Sequence, residues 1–160
     1  MKKLRIDETL YIKTPGFLSE QRIRKGPVAI IECTQDIPCN PCETICPRKA
    51  IKIGLPITNP PEIDEAKCSG CGLCVLWCPG LAIFVLNYNF DKIRASLTIP
   101  YEMLPLPGKN EKIKCLDRNG KYVCKGKIEK VTPPKKNSRT SLITFSFQKK
   151  YFNTVRGFKK

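Results

Sequence analysis

Apolar residues fall in short clusters along this chain, and the texture changes near residue 90. Val28-Ala29-Ile30-Ile31 is an apolar run of strand length and predicts a buried strand. Ahead of it, Ser19 is placed to cap a helical turn or two reaching Lys25, which Gly26-Pro27 ends. Residues 42–47 predict a short helical turn and residues 50–53 a strand, with Ile63-Asp64 pairing nearby. Residues 75–78 and 82–86 then repeat the turn and the strand. From Lys92 onward no helical period survives. Short apolar/polar alternations appear at residues 95–99, 112–116, 121–124, 127–131 and 141–147, separated by connectors bearing Pro and Gly. Such a series predicts a small antiparallel barrel or half-barrel. Within it, Asn119-Gly120 predicts a two-residue type I′ hairpin turn. That register sets Arg118 opposite Lys121, Asp117 opposite Tyr122, Leu116 opposite Val123, and Cys115 opposite Cys124. The last pair is expected to be non-hydrogen-bonded, with Cα atoms roughly 4.5 Å apart, within reach of a disulfide. The alternative is two half-buried thiols acting as small apolar side chains.

The fold class is therefore α+β. An N-terminal extension (1–27) precedes a compact turn-and-strand module (28–90), and a basic β domain (91–160) follows. The extension is expected to pack on something. The longest apolar run, residues 81–86, is far too short to span a bilayer, which predicts no direct membrane insertion. The first residues carry acids and no apolar core, so no signal peptide is expected.

Cysteine changes the picture. Cys68, Cys71, Cys74, Cys78 and Pro79 read C-x2-C-x2-C-x3-C-P. This is the bacterial ferredoxin run, in which three thiolates hold one [4Fe–4S] cluster and the fourth reaches another. Ser69, Gly70 and Gly72 are small enough to let the backbone wrap closely. Structural zinc would need four thiolates on one ion, usually from two separated pairs. Thirty-two residues earlier, Cys39, Cys42, Cys46 and Pro47 align with Cys71, Cys74, Cys78 and Pro79, and Ala50-Ile51 aligns with Ala82-Ile83. The module is an internal repeat.

The repeat predicts two [4Fe–4S] clusters with crossed ligation. Cys46, Cys68, Cys71 and Cys74 form one set. Cys78, Cys39 and Cys42 form the other, which needs a fourth ligand. The residue aligned with Cys68 is Asp36. Cys33 lies three residues upstream and is the softer ligand, provided the spacer 34–38 bulges. Asp36, or no protein ligand with a three-iron cluster, are the alternatives. Ile45, Ile51, Ile53, Ile63, Leu73, Leu76, Ile83 and Val85 are expected to line the clusters, with Trp77 packing in the same shell or relaying electrons.

Charge follows the same division. Residues 1–30 carry net +4, residues 31–90 net −2 and residues 91–160 net +13, within a total of +15. A basic tail suits nucleic acid, an acidic protein surface or anionic lipid, or is a solvated lysine surface. The tail's aromatic residues sit at positions that suit a core, whereas base stacking needs exposed rings. Nucleic acid is accordingly not expected as a partner. The chain has no His, no dinucleotide fingerprint and no P-loop, so a non-catalytic role is expected. Iron–sulfur chemistry places it in a reducing cytoplasm.

The segments 26–33, 37–43, Cys46-Pro47 and 78–84 resemble the small dicluster ferredoxin-type subunits of FAD-dependent amine and amino-acid dehydrogenases of the proline, hydroxyproline and sarcosine type. Residues 99–107 and 116–121 resemble the tail of the same subunits. The resemblance covers most of residues 19–158. It implies electron transfer from a substrate-oxidising flavin to a second flavin or other acceptor, inside a hetero-oligomer with FAD-dependent dehydrogenase subunits. The alternatives are a free ferredoxin with an accessory domain, or an iron–sulfur nucleic-acid-binding protein.

Overall fold

A computed structural model describes residues 18–34, 36–134 and 139–160. Most of the expected N-terminal extension, residues 1–17, lies outside the described residues, as does Gln35 in the spacer after Cys33. The elements are α1 (Glu20–Ile23), β1 (Val28–Ile31), α2 (Pro41–Ile45), β2 (Ile51–Lys52), β3 (Glu62–Ile63), α3 (Leu73–Trp77), β4 (Ile83–Asn87), β5 (Arg94–Tyr101), β6 (Lys112–Leu116), β7 (Tyr122–Thr132), β8 (Ser141–Gln148) and β9 (Gly157–Lys159).

The repeat folds with pseudo-twofold pairing. Ile31 pairs with Ile83, and Ile63 pairs with Ile51. Each pair becomes the other when one partner moves forward and the other back by the 32-residue repeat. The outer strands β1 and β4 are longer and do more. Val28 and Leu86 point into one apolar core, while Ala29, Ile31, Ile83 and Val85 point into a second. This explains the unbroken apolar runs, because a strand buried on both faces has no polar side to alternate with.

The sheet does not stop at residue 90. β4 and β5 are adjacent antiparallel strands, joined by a turn in which the Asp91 carboxylate accepts the N–H groups of Ile93 and Arg94 at 2.9 and 2.6 Å. One seven-stranded sheet results, in the order β1-β4-β5-β8-β7-β6-β9. The pairing is open, with β1 and β9 at the ends, where a closed or half-closed barrel was expected from residues 91–160. The sheet still curls over its larger core: Tyr101 on β5 stacks on Phe158 of β9 with centroids 5.5 Å apart, and Phe145 meets Phe158 at 5.2 Å.

Two local expectations need correcting, and one strand went unread. The segments 121–124 and 127–131 are one strand, β7, because Gly126 continues the ladder rather than turning it. A Cβ there would lie 2.5 Å from Cys115 Sγ and 2.8 Å from the Ser146 carbonyl, so only glycine fits. The hairpin before it has a three-residue loop, not a type I′ pair. Asp117 Oδ1 accepts the N–H groups of Asn119 and Lys121, both at 2.8 Å, and Gly120 alone has positive φ, +75°. The Asp117 side chain thus selects the longer loop, with glycine in its left-handed position. Leu116 consequently pairs with Tyr122, and a bulge then restores Cys115 opposite Cys124. Strand β9 carried no legible signal, being three residues between a basic turn and the final lysine.

Candidate iron–sulfur site

Among the described residues, two cysteine-lined cavities open on the module, one for each arm of the repeat. Cys46, Cys68, Cys71 and Cys74 line one, with Ala29 and Ile51 behind them. Cys33, Cys39, Cys42 and Cys78 line the other, with Ile53 and Ile83. The empty space is similar in both, about 340 and 390 Å³. Each cavity therefore takes three thiols from its own loop and one from the end of the opposite helical turn. Asp36 is exposed and is not among the lining residues of either. Cys115 and Cys124 lie away from both, buried in the larger core.

The crossing follows from local backbone geometry. α2 and α3 are each five residues long and each ends at a Cys with extended φ/ψ: −72°, 107° at Cys46 and −77°, 109° at Cys78. The chain then turns through Pro and a left-handed residue, Lys49 (φ 49°) or Leu81 (φ 52°). The N–H of Ala50 points back at Cys46 Sγ at 3.2 Å, and that of Ala82 at Cys78 Sγ at 3.4 Å. These are the alanines aligned by the repeat. Pro at the first helical position of α2, Pro41, lacks an N–H that would have no partner there anyway.

The loop that brings up Cys68 is held from outside. Ser19 donates its N–H and its hydroxyl to the Glu65 carboxylate, both at 2.7 Å. Arg22 donates to the carbonyls of Glu65 at 2.7 Å and Pro27 at 3.0 Å, and to that of Cys68. Ala29 N–H reaches Cys68 Sγ at 3.4 Å. Gly70, at φ +66°, lies so close to Pro27 that a Cβ would come within 2.5 Å of the proline Cβ. α1 is thus a clamp on the second loop, and Ser19 caps it through a 3.2 Å bond from the Arg22 N–H.

The loop that brings up Cys33 is held by the tail. The Glu32 carboxylate accepts from Arg156 Nε at 2.6 Å and from Arg118 Nε at 3.0 Å. Burial by itself would raise the Glu32 carboxyl. The Arg118 hydrogen bond and the Arg156 charge overcome that and hold it below the usual carboxylate range. Glu32 N–H donates to the Ala82 carbonyl at 2.8 Å, as Asp64 N–H donates to that of Ala50 at 2.7 Å. This tether joins residues 124 apart in sequence, and no spacing rule exposes it.

The thiols themselves report the crossed grouping. Burial, then the neighbouring Cys78, pushes Cys42 up to about 11. Burial, then Cys68, Cys71 and the opposite-arm Cys46, pushes Cys74 up to about 12. Cys39 is raised by burial and by Cys78 and Cys33. Four clustered thiolates repel each other, so the sites need bound positive charge to lose their protons. A metal core supplies it. No three His, Cys, Asp or Glu side chains among the described residues converge as a single ion requires. A cubane suits wider spacing, because each thiolate takes a different iron. The donor set, the N–H groups aimed at sulfur and the apolar walls all fit such a cluster.

Of the apolar residues expected around the sites, Ile51, Ile53, Ile83 and Val85 are buried in the core between them, and Leu73 lines the Cys68 cavity. Val75, fully buried there, went unnoticed because it sits among cysteines rather than in an apolar run. Trp77 does not pack as expected: it is 47% exposed on the outer side of α3.

Comparison with known proteins agrees with the chemistry over part of the chain. Residues 61–84 match the 4Fe-4S binding domain family. The chain is 42% identical over 84 residues to an uncharacterized ferredoxin of Methanocaldococcus jannaschii, covering 50% of each protein. It is 45% identical over 47 residues to a subunit of an ion-translocating oxidoreductase complex of Methanosarcina acetivorans, covering 29% of this chain and 17% of that one. The chain thus spans about half the length of the first relative and less of the second. No solved structure matches. A ferredoxin-type 4Fe-4S domain is therefore present, able to hold at least one [4Fe–4S] cluster.

Proposed function

We propose that each cavity holds one [4Fe–4S] cluster and that the chain is a non-catalytic electron carrier within a flavin-dependent dehydrogenase complex. The observation that carries the reading is the sharing of eight thiols between two cavities, each completed by a cysteine of the opposite arm. The proposed ligands are Cys33, Cys39, Cys42 and Cys78 for one cluster, and Cys46, Cys68, Cys71 and Cys74 for the other. Such clusters supply reversible electron uptake without bond chemistry on a substrate. The protein's part is to hold the thiolates, aim N–H groups at them and keep water away with Ile51, Ile53 and Ile83. Substrate oxidation is assigned to a partner carrying FAD, since the chain has no His and no nucleotide fingerprint. The resemblance of the tail, and a relative that is itself part of a complex, support membership of an assembly. A reducing cytoplasm is the compartment such thiols require.

The test is anaerobic purification from the source cell, followed by iron, sulfide and flavin analysis. About eight irons per chain, with FAD in the same native particle, is the expected result. The ferredoxin relative favours a second reading, a free carrier with an accessory domain. A lone monomer that passes electrons to flavoproteins would establish that reading instead.

A further inference from the structure

The outer face of β6, β7 and β9 breaks a rule of strand pairing. Lys112 lies directly opposite Lys127, and Lys114 lies opposite both Lys125 and Lys159. The intervening Ile113, Cys115, Cys124 and Ile128 are buried, so the five lysines share the outward side. Like charges directly across a sheet, with Cβ atoms roughly 5 Å apart, destabilise it. Little on the chain offsets them. Lys127 meets Glu129 at 3.4 Å. Among the described residues the other four make no ion pair. Basic side chains with a structural task are matched elsewhere: Arg94 with Asp91 and Glu129, Arg118 and Arg156 with Glu32.

We infer that this lysine ladder is a docking face for an acidic protein surface. A neutral occupant would not relieve the repulsion. A second copy of the chain, at net +15, would add to it. The chain's own segments 1–17 and 135–138 each carry net +2, so neither is the complement. Among polyanions, two features favour a protein's carboxylates over the phosphates of nucleic acid. The ladder is on the outside of a sheet curled over its core, a convex face that meets few phosphates of a convex duplex. The nearby exposed ring, Tyr122, 56% exposed, sits at the hairpin end rather than between the lysines, so successive bases have nothing to stack on. The ladder is separate from the cysteine cavities, and the inference does not rest on what they carry.

The test uses the full chain with its clusters loaded and poly-L-glutamate as probe. A triple variant, Lys114→Gln, Lys125→Gln and Lys159→Gln, is compared with Lys25→Gln, Lys92→Gln and Lys109→Gln, which has the same net charge. The ladder variant is expected to associate about tenfold more slowly at low salt and to lose most of its salt dependence. The control should stay within about twofold of the parent. Equal losses in both would mean that only total charge matters, and would overturn the proposal. A short DNA duplex and phosphatidylserine vesicles are run in parallel. Tighter binding to either, weakened by the ladder variant alone, would reassign the face and refute the acidic-protein reading. Lys114→Glu gives a second readout through stability: its unfolding midpoint should rise at low salt, and the gain should vanish at high salt. A fall at low salt would show that the ladder is already compensated and would sink the idea.

Discussion

The two arms of the repeat solve one problem with different materials. In the second arm Asp64 sits at the strand end, and its Oδ1 accepts the N–H groups of Ala66 and Lys67 at 3.1 and 3.4 Å. The resulting turn delivers Cys68, whose N–H donates to the Asp64 carbonyl at 3.2 Å. The turn itself is local, and α1 clamps it from outside. In the first arm the equivalent acid is Glu32, and the thiol, Cys33, follows at once. The carboxylate instead reaches out to Arg118 and Arg156 of the tail. With the thiol one residue after the acid rather than four, the tail supplies the support that the turn gives in the second arm. A duplicated motif can thus lose its symmetry in sequence and regain it in space, while coming to depend on another part of the chain.

The largest expected effect is on cluster number. Cys33→Ala should convert the first site to a three-iron form or empty it, lowering iron from about eight per chain to between four and seven. Asp36→Ala should leave the count unchanged. Iron assays and electron paramagnetic resonance read both, and the opposite pattern would give the ligand role to Asp36. Next is stability. Arg156→Met leaves a buried carboxylate short of a partner and should cost about 3 kcal/mol, with the Cys33 site bleaching first on heating. Gly70→Ala is expected to cost about 2–4 kcal/mol through its positive φ and the contact with Pro27, with the Cys68 site bleaching first. Loss of the same site in both variants would erase the contrast between the arms.

A subtler contrast concerns potential. Beside the repeat-equivalent backbone N–H groups of Glu43 at Cys42 and Val75 at Cys74, N–H···S contacts from Ala29 and Ala50 reach the Cys68 site and one from Ala82 reaches the other. Pro61, the counterpart of Ala29, has no N–H. Donors aimed at sulfur favour the reduced, more negative cluster, so the Cys68 site should be reduced first in a potentiometric titration. The smallest effect should come from Asp64→Asn. Its pair with Lys67 is on the surface and largely screened, and the remaining side-chain oxygen still accepts backbone N–H groups. A loss as large as that of Arg156→Met, measured by denaturant titration, would mean the arms are supported alike.

What was legible in the sequence was what spacing encodes. The cysteine intervals, the alanines after each Cys-Pro and the paired strands of the repeat follow from backbone reach over a few residues, so they could be read in advance. Cys115 opposite Cys124 was read correctly for an incomplete reason: the loop is one residue longer than Asn119-Gly120 implied, and the bulge at Val123 restores the pair. The continuity of the sheet through β4 and β5, the strand β9 and the Glu32–Arg156 tether were not legible. They depend on which distant surfaces meet, and no local pattern records that.

The Glu32–Arg156 contact also sets an order of events during synthesis. Cys46, Cys68, Cys71 and Cys74 have all been made once the chain reaches residue 74, and their brace, α1, was made earlier still. The brace for Cys33 emerges much later, because Arg156 follows Glu32 by 124 residues. Contacts of such long sequence separation form late. Iron delivered to a growing chain should therefore be retained at the Cys68 site first. Ribosome-stalled chains ending before residue 150 should hold about half the iron of chains that extend through residue 160 and are released.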